Sequence, residues 1–398
     1  MPAAETSEVA FLDLANPEFS IRSKAVHDAR AQSWYARTPY GLAILRHAEV
    51  GILLREARLR QGSYKWPAHN NASGPFADWW LRMLLNRVGS DHSRLRRLVN
   101  PAFGPKVVTP LQPRFEEIAN EIIDGFSSRG RCEFMSEFAE PFATRVICEL
   151  LSLSHEQWRT LADISAEMGL ALGVTYEQNQ ERVNQATARL FDYAHQVIEG
   201  RRTSPSEDFI SHLIEANKDK SALSDQELRD MVVLAVFGGI DTTRNQIGLG
   251  MSVFIDNPES WKLLGEHPEF ARGAVEEVMR TRPTTTWVTR EALEDIVFKD
   301  VLIKKGTTLH MFTESAGTDP MVYSQGIDIT AERKTHYGFG AGPHHCLGHF
   351  IARADMTEAL RLLAKRIKNP TYEGEPTWLP DSGNTGPISL PIKFNSET

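Results

Sequence analysis

Residues 339–348 read Phe339–Gly340–Ala341–Gly342–Pro343–His344–His345–Cys346–Leu347–Gly348, and the reading of the whole chain turns on them. Three glycines and a proline within ten residues rule out a regular helix or strand across the stretch. A loop so constrained holds one side chain still, and Cys346 is the residue with chemistry to be held. From 347 to 368 the apolar residues Phe350, Ile351, Ala354, Leu360 and Leu363 recur at helical spacing. Cys346 is therefore expected at a helix N-terminus, where free N–H groups and the positive dipole end stabilise a thiolate.

Three uses of such a cysteine compete. It can be a small buried hydrophobe. It can belong to a zinc cluster with His344, His345 and His349, although H-H-C-x-x-H lacks the paired C-x-x-C of common zinc sites. Or it can be a thiolate ligand to haem iron, with the glycines letting the backbone lie close to a flat cofactor. The order of residues resembles the haem-binding loop of the cytochrome P-450 family, F-G-x-G-x-H-x-C-x-G, and every fixed position is filled. The resemblance implies haem b with Cys346 as axial ligand and Phe339 near the sulfur. It also implies Gly340 and Gly348 in the cofactor cradle, and His344 reaching a propionate.

The remaining chain is read against that expectation. A length of 398 residues would allow two or three domains, but no linker, repeat or low-complexity tract divides it, so one domain spanning 1–398 is expected. An apolar content of 41% suffices for one large core, and a net charge of −8 argues against a nucleic-acid partner. Three cysteines are too few for a disulfide framework and fit a reducing compartment. Residues 1–16 lack a basic or apolar targeting pattern, and no run reaches the ~20 apolar residues of a membrane span. These features together predict a soluble, cytoplasmic, monomeric protein with no membrane anchor, like bacterial members of the family.

Along the chain, patterning predicts a helix over 23–36, a strand over 41–46, a helix from His47, and a loop over 61–80 that carries Trp66, Phe76, Trp79 and Trp80, much aromatic surface for a surface connection. His92 and Arg96 fall four apart on one helical face. Alone, such a basic run is most often solvated; it also resembles the family's H-x-x-x-R, which implies propionate contact, with Arg94 and Arg97 free to face a partner. Residues 113–216 read as helical, with breaks near 130, 154 and 173. Ser224–Asp225–Gln226–Glu227 is a capping box opening a helix of ~30 residues and ~45 Å that Pro258 stops.

Inside that helix lies Gly238–Gly239–Ile240–Asp241–Thr242–Thr243. Two mid-helix glycines cost ~1 kcal/mol each relative to alanine, so they need a reason: a close neighbouring helix, or a groove. The stretch resembles the family's (A/G)-G-x-(D/E)-T-(T/S), which lies across the haem opposite the thiolate. That implies Asp241 and Thr242 as the acid–alcohol pair for proton delivery, with Thr242 bonding back to the Gly238 carbonyl. Glu277 and Arg280 resemble the family's structural E-x-x-R pair, and Arg290 sits where the family places a propionate-binding arginine. A hairpin is expected from 296–303 and 307–312, turned at 304–306.

Two departures stand out. Ala316–Gly317–Thr318–Asp319–Pro320 replaces the family's A-x-N-R-D-P, and Ala331 stands where the third arginine of the proximal network belongs, leaving Arg333 as its candidate substitute. The connection from Asp319 to the haem loop is also about two residues shorter than the family pattern.

The sequence thus predicts a mostly α protein with a small β-rich part and a long central helix over the haem. The implied function is a haem-thiolate monooxygenase inserting one atom of O2 into a substrate. No G-x-G-x-x-G follows a strand, so electrons are expected from a ferredoxin and its NAD(P)H-dependent reductase. A basic face formed by Arg94, Arg97, Arg353, Arg361, Lys365 and Arg366 would receive the ferredoxin. The family layout would line the pocket with the 61–84 loop, Leu234, Phe237, Gly238, Thr285, Thr286, Trp287 and the turn at Asn384–Thr385–Gly386. Lys65, His69 and Arg82 are the only cations near it, so a small neutral hydrophobic substrate is expected. The alternatives are a peroxide-using, coupling or isomerising haem-thiolate enzyme, or a non-enzymatic haem or metal-binding sensor.

Overall fold

The computed structural model describes residues 9–172, 176–206, 208–216, 223–332, 334–381 and 383–396. Its axis is the helix Asp225–Asp256, 32 residues long. The capping box forms in full: the Glu227 N–H donates to Ser224 Oγ at 3.1 Å, and the Ser224 N–H donates to the Glu227 carboxylate at 2.8 Å. Pro258 opens the next helix, Pro258–Glu266, so the axis ends where the sequence places its stop. Residues 245–254 are buried without a break. That stretch has no solvated face; the helices Glu140–Leu150, Trp158–Gly169, Tyr176–Thr203 and His349–Arg366 pack around the axis.

One large core extends from Phe76 to Phe394, and two smaller cores flank a five-stranded sheet. The strand order is Tyr35–Thr38, Gly41–Ile44, Thr308–Phe312, Trp287–Ala292 and Leu59–Gln61. Only Gly41–Ile44 and Thr308–Phe312 run parallel. Trp287 lies opposite Phe312, and Arg290 opposite Leu309. Since side chains alternate along a strand, Val288, Arg290 and Ala292 share one face and Trp287, Thr289 and Glu291 the other.

Four local expectations need correction. The first helix is Lys24–Gln32, and Tyr35 and Ala36 already belong to an edge strand. Within 61–80 lie two short helical turns and most of the helix Pro75–Arg82, with Phe76, Trp79 and Trp80 buried rather than exposed. The helical stretch after 113 is interrupted by the strand Arg131–Glu133, which exists only because Pro391–Ser396 arrives to pair with it. The 296–303 run folds on itself, Ile296–Phe298 against Val301–Ile303, through Lys299 in left-handed geometry (φ 53°). Thr308–Phe312 pairs elsewhere, with Trp287–Ala292. No helix among the described residues is long and apolar enough to cross a membrane.

Candidate functional site

The Cys346 loop is held by its own backbone. The Gly340 N–H donates to Tyr337 O at 2.8 Å, and the Cys346 N–H donates to Phe339 O at 2.9 Å. Gly340 and Gly342 take φ of +66° and +70°, and a Cβ on Gly342 would lie 2.7 Å from Leu54 O, so glycine is required there. Gly348 caps the helix His349–Arg366, placing Cys346 just before its first turn. Burial pushes the Cys346 thiol up, while the Gly348 N–H, Arg96 and Arg353 draw it down. Among the described residues no three His, Cys, Asp or Glu side chains are placed to hold a metal ion together, so the zinc arrangement does not form.

Beside this loop four basic side chains converge. His92 and His344 lie with ring centroids 4.3 Å apart, and His92 Nε2 is buried with no hydrogen-bond partner. Arg96 donates to His345 O at 2.5 Å, and Arg290, 3% exposed, donates to Thr289 O at 2.9 Å and to Gln61 Oε1. Burial lowers Arg290 to about 10 and also lowers Arg96; among the described residues no carboxylate offsets either shift. His344 is pushed down to about 3 by burial, then by His92, Arg290 and Arg96. Buried like charges are costly unless an anion joins them. The orphaned imidazole nitrogen and two guanidinium groups without a carboxylate partner fit the two carboxylates of a porphyrin held beside Cys346.

On the central helix the two glycines differ. A Cβ on Gly239 would lie 2.4 Å from Ile147 Cδ1, so that glycine admits the neighbouring helix Glu140–Leu150. A Cβ on Gly238 would meet only Leu234 Cδ1, at 3.8 Å, so its side is open. Thr242 Oγ1 donates to Gly238 O at 2.6 Å. Asp241 Oδ2 accepts from Asn245 Nδ2 and Asn384 Nδ2, each at 3.3 Å. Burial pushes the Asp241 carboxyl up, against the pull of Arg244, Asn384 and Asn245. Asn245, one turn beyond Asp241, was open to sequence reasoning. Asn384, 143 positions away, was legible only as a turn.

The expected pocket lining divides. Thr286 is fully buried with an unpartnered hydroxyl, and Leu234 is partly buried against the large core. Phe237 turns into an aromatic cluster, with ring centroids 6.1 Å from Phe76 and 5.4 Å from Trp79. Trp287 faces away from Arg290: it stacks on Phe312 at 5.5 Å and meets Phe19 edge-on at 6.2 Å, so Val288 shares the Arg290 face in its place. Lys65 is bound to Glu291 at 2.7 Å, and Arg82 grips Asp230 at 3.1 and 3.2 Å. His69 is exposed.

Below the loop, Arg280 donates to both Glu277 oxygens, at 2.8 and 2.7 Å, and to Gly317 O and Gly326 O at 2.7 and 2.8 Å. Glu277 also accepts the Asp328 N–H at 3.0 Å. Backbone groups thus complete the network that lacks an arginine at Ala331; Arg333 lies outside the described residues. The basic face needs revision. Arg94 pairs with Asp91 and Glu227, Arg353 with Glu276, Arg361 with Glu116 and Glu358, and Arg366 with Asp124. Arg97 and Lys365 stay exposed, and Arg55, Lys334 and Arg353 line a cleft of about 470 Å³ beside Gly340–Gly342.

This geometry has relatives. The family model for Cytochrome P450 matches residues 171–267 and 266–393. Luteothin monooxygenase of Streptomyces thioluteus is 37% identical over 98% of this chain and 97% of its own length. Mycinamicin IV hydroxylase/epoxidase of Micromonospora griseorubida is 33% identical over 98% of this chain and 100% of its own. Among solved structures, the Bacillus subtilis 168 bacillaene polyketide synthase cytochrome P450 PksS matches with a TM-score of 0.85 at 27% identity, over 96% of this chain and 100% of that one.

Proposed function

The chain belongs to the cytochrome P450 family of haem-thiolate monooxygenases, and we propose that it oxygenates a small neutral hydrophobic substrate with electrons from a separate ferredoxin and its reductase. The observation that carries the reading is the convergence of His92, Arg96, Arg290 and His344 beside Cys346 with no anion among them. In this reading the group held would be haem b: Cys346 would bind its iron, and the four basic side chains would take its propionates. Phe339, Gly340 and Gly348 shape the loop around the sulfur. When bound, the haem supplies the activation of O2 and the thiolate favours O–O cleavage.

The chain's own residues supply orientation and protons. The open side of Gly238 and the Thr242 hydroxyl leave space at the centre of the axis helix, and one residue away stands Asp241, whose carboxyl burial pushes up toward the range where it can hold and pass a proton. One oxygen atom goes to the substrate and the other to water, with two electrons and two protons consumed. Neutral substrate chemistry is supported by the pairing of Lys65 with Glu291 and Arg82 with Asp230. A buried carboxylate there would lack a partner and cost several kcal/mol. The names of the relatives, a luteothin monooxygenase and a mycinamicin IV hydroxylase/epoxidase, accord with oxygenation.

The test is the absorption spectrum of the reduced, carbon-monoxide-treated protein. The wild type is expected to show the red-shifted thiolate band, and Cys346→Ser to lose it or move it to the position of imidazole-ligated haem. A Cys346→Ser variant that keeps the band would overturn the assignment. Labelled O2 supplied with ferredoxin and reductase is expected to leave its label in the product; product labelled only from added peroxide would favour the peroxide-using alternative.

A further inference from the structure

Asp241 is held from two directions by two amides that are not equivalent. Asn245 Oδ1 is taken by an Arg244 N–H at 2.9 Å, so Asn245 can present only its NH2 to Asp241. Asn384 Oδ1 faces Thr284 Oγ1 at 3.0 Å, and that hydroxyl can place its single proton instead on Thr385 O, at 2.7 Å. With the proton on Asn384 Oδ1, the Asn384 NH2 points at an ionised Asp241. With the proton on Thr385 O, Thr284 Oγ1 becomes an acceptor, the amide can turn over, and Asn384 Oδ1 accepts the O–H of a protonated Asp241.

We propose that Asn384 is a positioning residue for Asp241, orienting its carboxyl in both protonation states from the C-terminal turn. The proposal rests on the reading of Asp241 as the group that holds and passes a proton.

The turn is fixed well enough for this role. The Leu379 N–H donates to Gly386 O at 2.9 Å, Thr385 N–H to Thr284 O at 2.8 Å, and Thr286 N–H to Gly383 O at 3.0 Å. From the N-terminal side, Asp381 accepts from Ser20 Oγ at 2.9 Å, Ile21 N–H at 3.2 Å and Arg22 at 3.4 Å. Gly386 presses on the central helix so closely that a Cβ would lie 2.6 Å from Asn245 Cβ. The surroundings of Asp241 leave Asn384 as the adaptable partner. Arg244, on the same helix, divides its charge between this site and Glu140 at 3.5 Å, and Asp163 adds a further negative charge to Glu140. The helix Trp158–Gly169 meets Asp241 with Gly169, whose Cβ would lie 3.9 Å from Oδ1. Asp381 is committed to Arg22.

The test uses the holoenzyme and three variants: Asn384→Leu, Asn384→Asp and Asp241→Asn. The first readout is the infrared carboxyl band that Asp241→Asn removes, followed against pH without substrate or electron donor. Asn384→Leu deletes both hydrogen bonds, of which the charge-assisted one to the ionised carboxylate is the stronger, so the midpoint of that band is expected to move to higher pH. Asn384→Asp, which keeps the shape and adds a like charge, is expected to move it further. The second readout is product and peroxide formed per NADH, with peroxide expected to rise roughly threefold or more in both Asn384 variants. Unchanged midpoint and unchanged coupling in the Asn384 variants, beside an uncoupled Asp241→Asn, would overturn the role of Asn384 alone. Full coupling in Asp241→Asn would overturn the underlying reading of Asp241.

Discussion

Thr242 donates its hydroxyl proton to the carbonyl of Gly238, one turn earlier and 2.6 Å away. In a regular helix that carbonyl serves a backbone N–H alone; sharing it with a side chain loosens the local ladder and bends the helix. Beside this bond a Cβ on Gly238 would meet only Leu234 Cδ1, at 3.8 Å, so the space there is open. A groove lined by a hydroxyl and a carbonyl is thereby built at mid-helix, beside Asp241.

Thr242→Ala removes the hydroxyl and leaves the apolar lining. Substrate is expected to bind as before and NADH to be consumed, while product per NADH falls roughly tenfold and peroxide rises. Thr242→Ser, which keeps the hydroxyl, is expected to retain most of the coupling. Full coupling in Thr242→Ala would hand the role to Thr243 or to ordered water.

Charge placement around the pocket gives a second test. Glu291 lies on the strand face away from Arg290 and draws Lys65 there, with Tyr64 as its other partner at 2.7 Å. In a panel of matched neutral and carboxylate ligands, scored by the visible shift on binding, the neutral members are expected to bind more tightly. Glu291→Gln releases Lys65 and is expected to improve the carboxylates by about tenfold, or ~1.4 kcal/mol. Tighter binding of the acids by the wild type would defeat the substrate class.

What the sequence disclosed and what it concealed follow from the range of the interactions. The capping box, the Thr242 back-bond and the Glu277–Arg280 pair all lie within a few residues of their partners, and all were legible. The facing of Trp287 was not, because it depends on register with Phe312, and the burial of Phe76 and Trp79 depends on Phe237 arriving from the central helix. Arg94 looked free for a partner although Asp91, three residues earlier, is within reach; its other partner, Glu227, lies 133 positions away. Asn384 meets Asp241 across an even longer separation, which no local pattern encodes.

Acid should weaken the fold through Glu276. Burial would raise its carboxyl, but hydrogen bonds and charge from His336 and Arg353 outweigh burial and hold it at about 2, against an unperturbed 4.5. A depressed carboxylate stabilises the fold above the unfolded value, and that contribution is lost as pH falls from about 4.5 toward 2. The contribution is of order 3 kcal/mol. Thermal unfolding between pH 6 and 3 is expected to show a drop in Tm that Glu276→Gln flattens, the variant being less stable only at the higher pH. Parallel curves for the two proteins would contradict this.

Electron supply is the remaining step open to a charge argument. The chain carries a net −8, so an acidic ferredoxin needs a local positive surface to approach it. Most basic side chains near the thiolate are neutralised: Arg94, Arg353, Arg361 and Arg366 each hold a carboxylate. Arg55 and Lys334 instead sit exposed at the cleft beside the Cys346 loop; Arg55 donates to Gly51 O and to the Tyr337 hydroxyl, Lys334 to Val322 O, and neither pairs with a carboxylate among the described residues. Arg55 also touches the loop, its Cα 3.3 Å from where a Cβ on Gly342 would lie. Charge reversal by Arg55→Glu or Lys334→Glu is expected to slow reduction by ferredoxin roughly tenfold at low ionic strength, with Arg97→Glu less affected because it lies outside the cleft. The gap between variants and wild type should close as salt shortens the Debye length to ~3 Å at 1 M, and substrate binding should not change. Equal rates at low salt in all four proteins would place the ferredoxin on another surface.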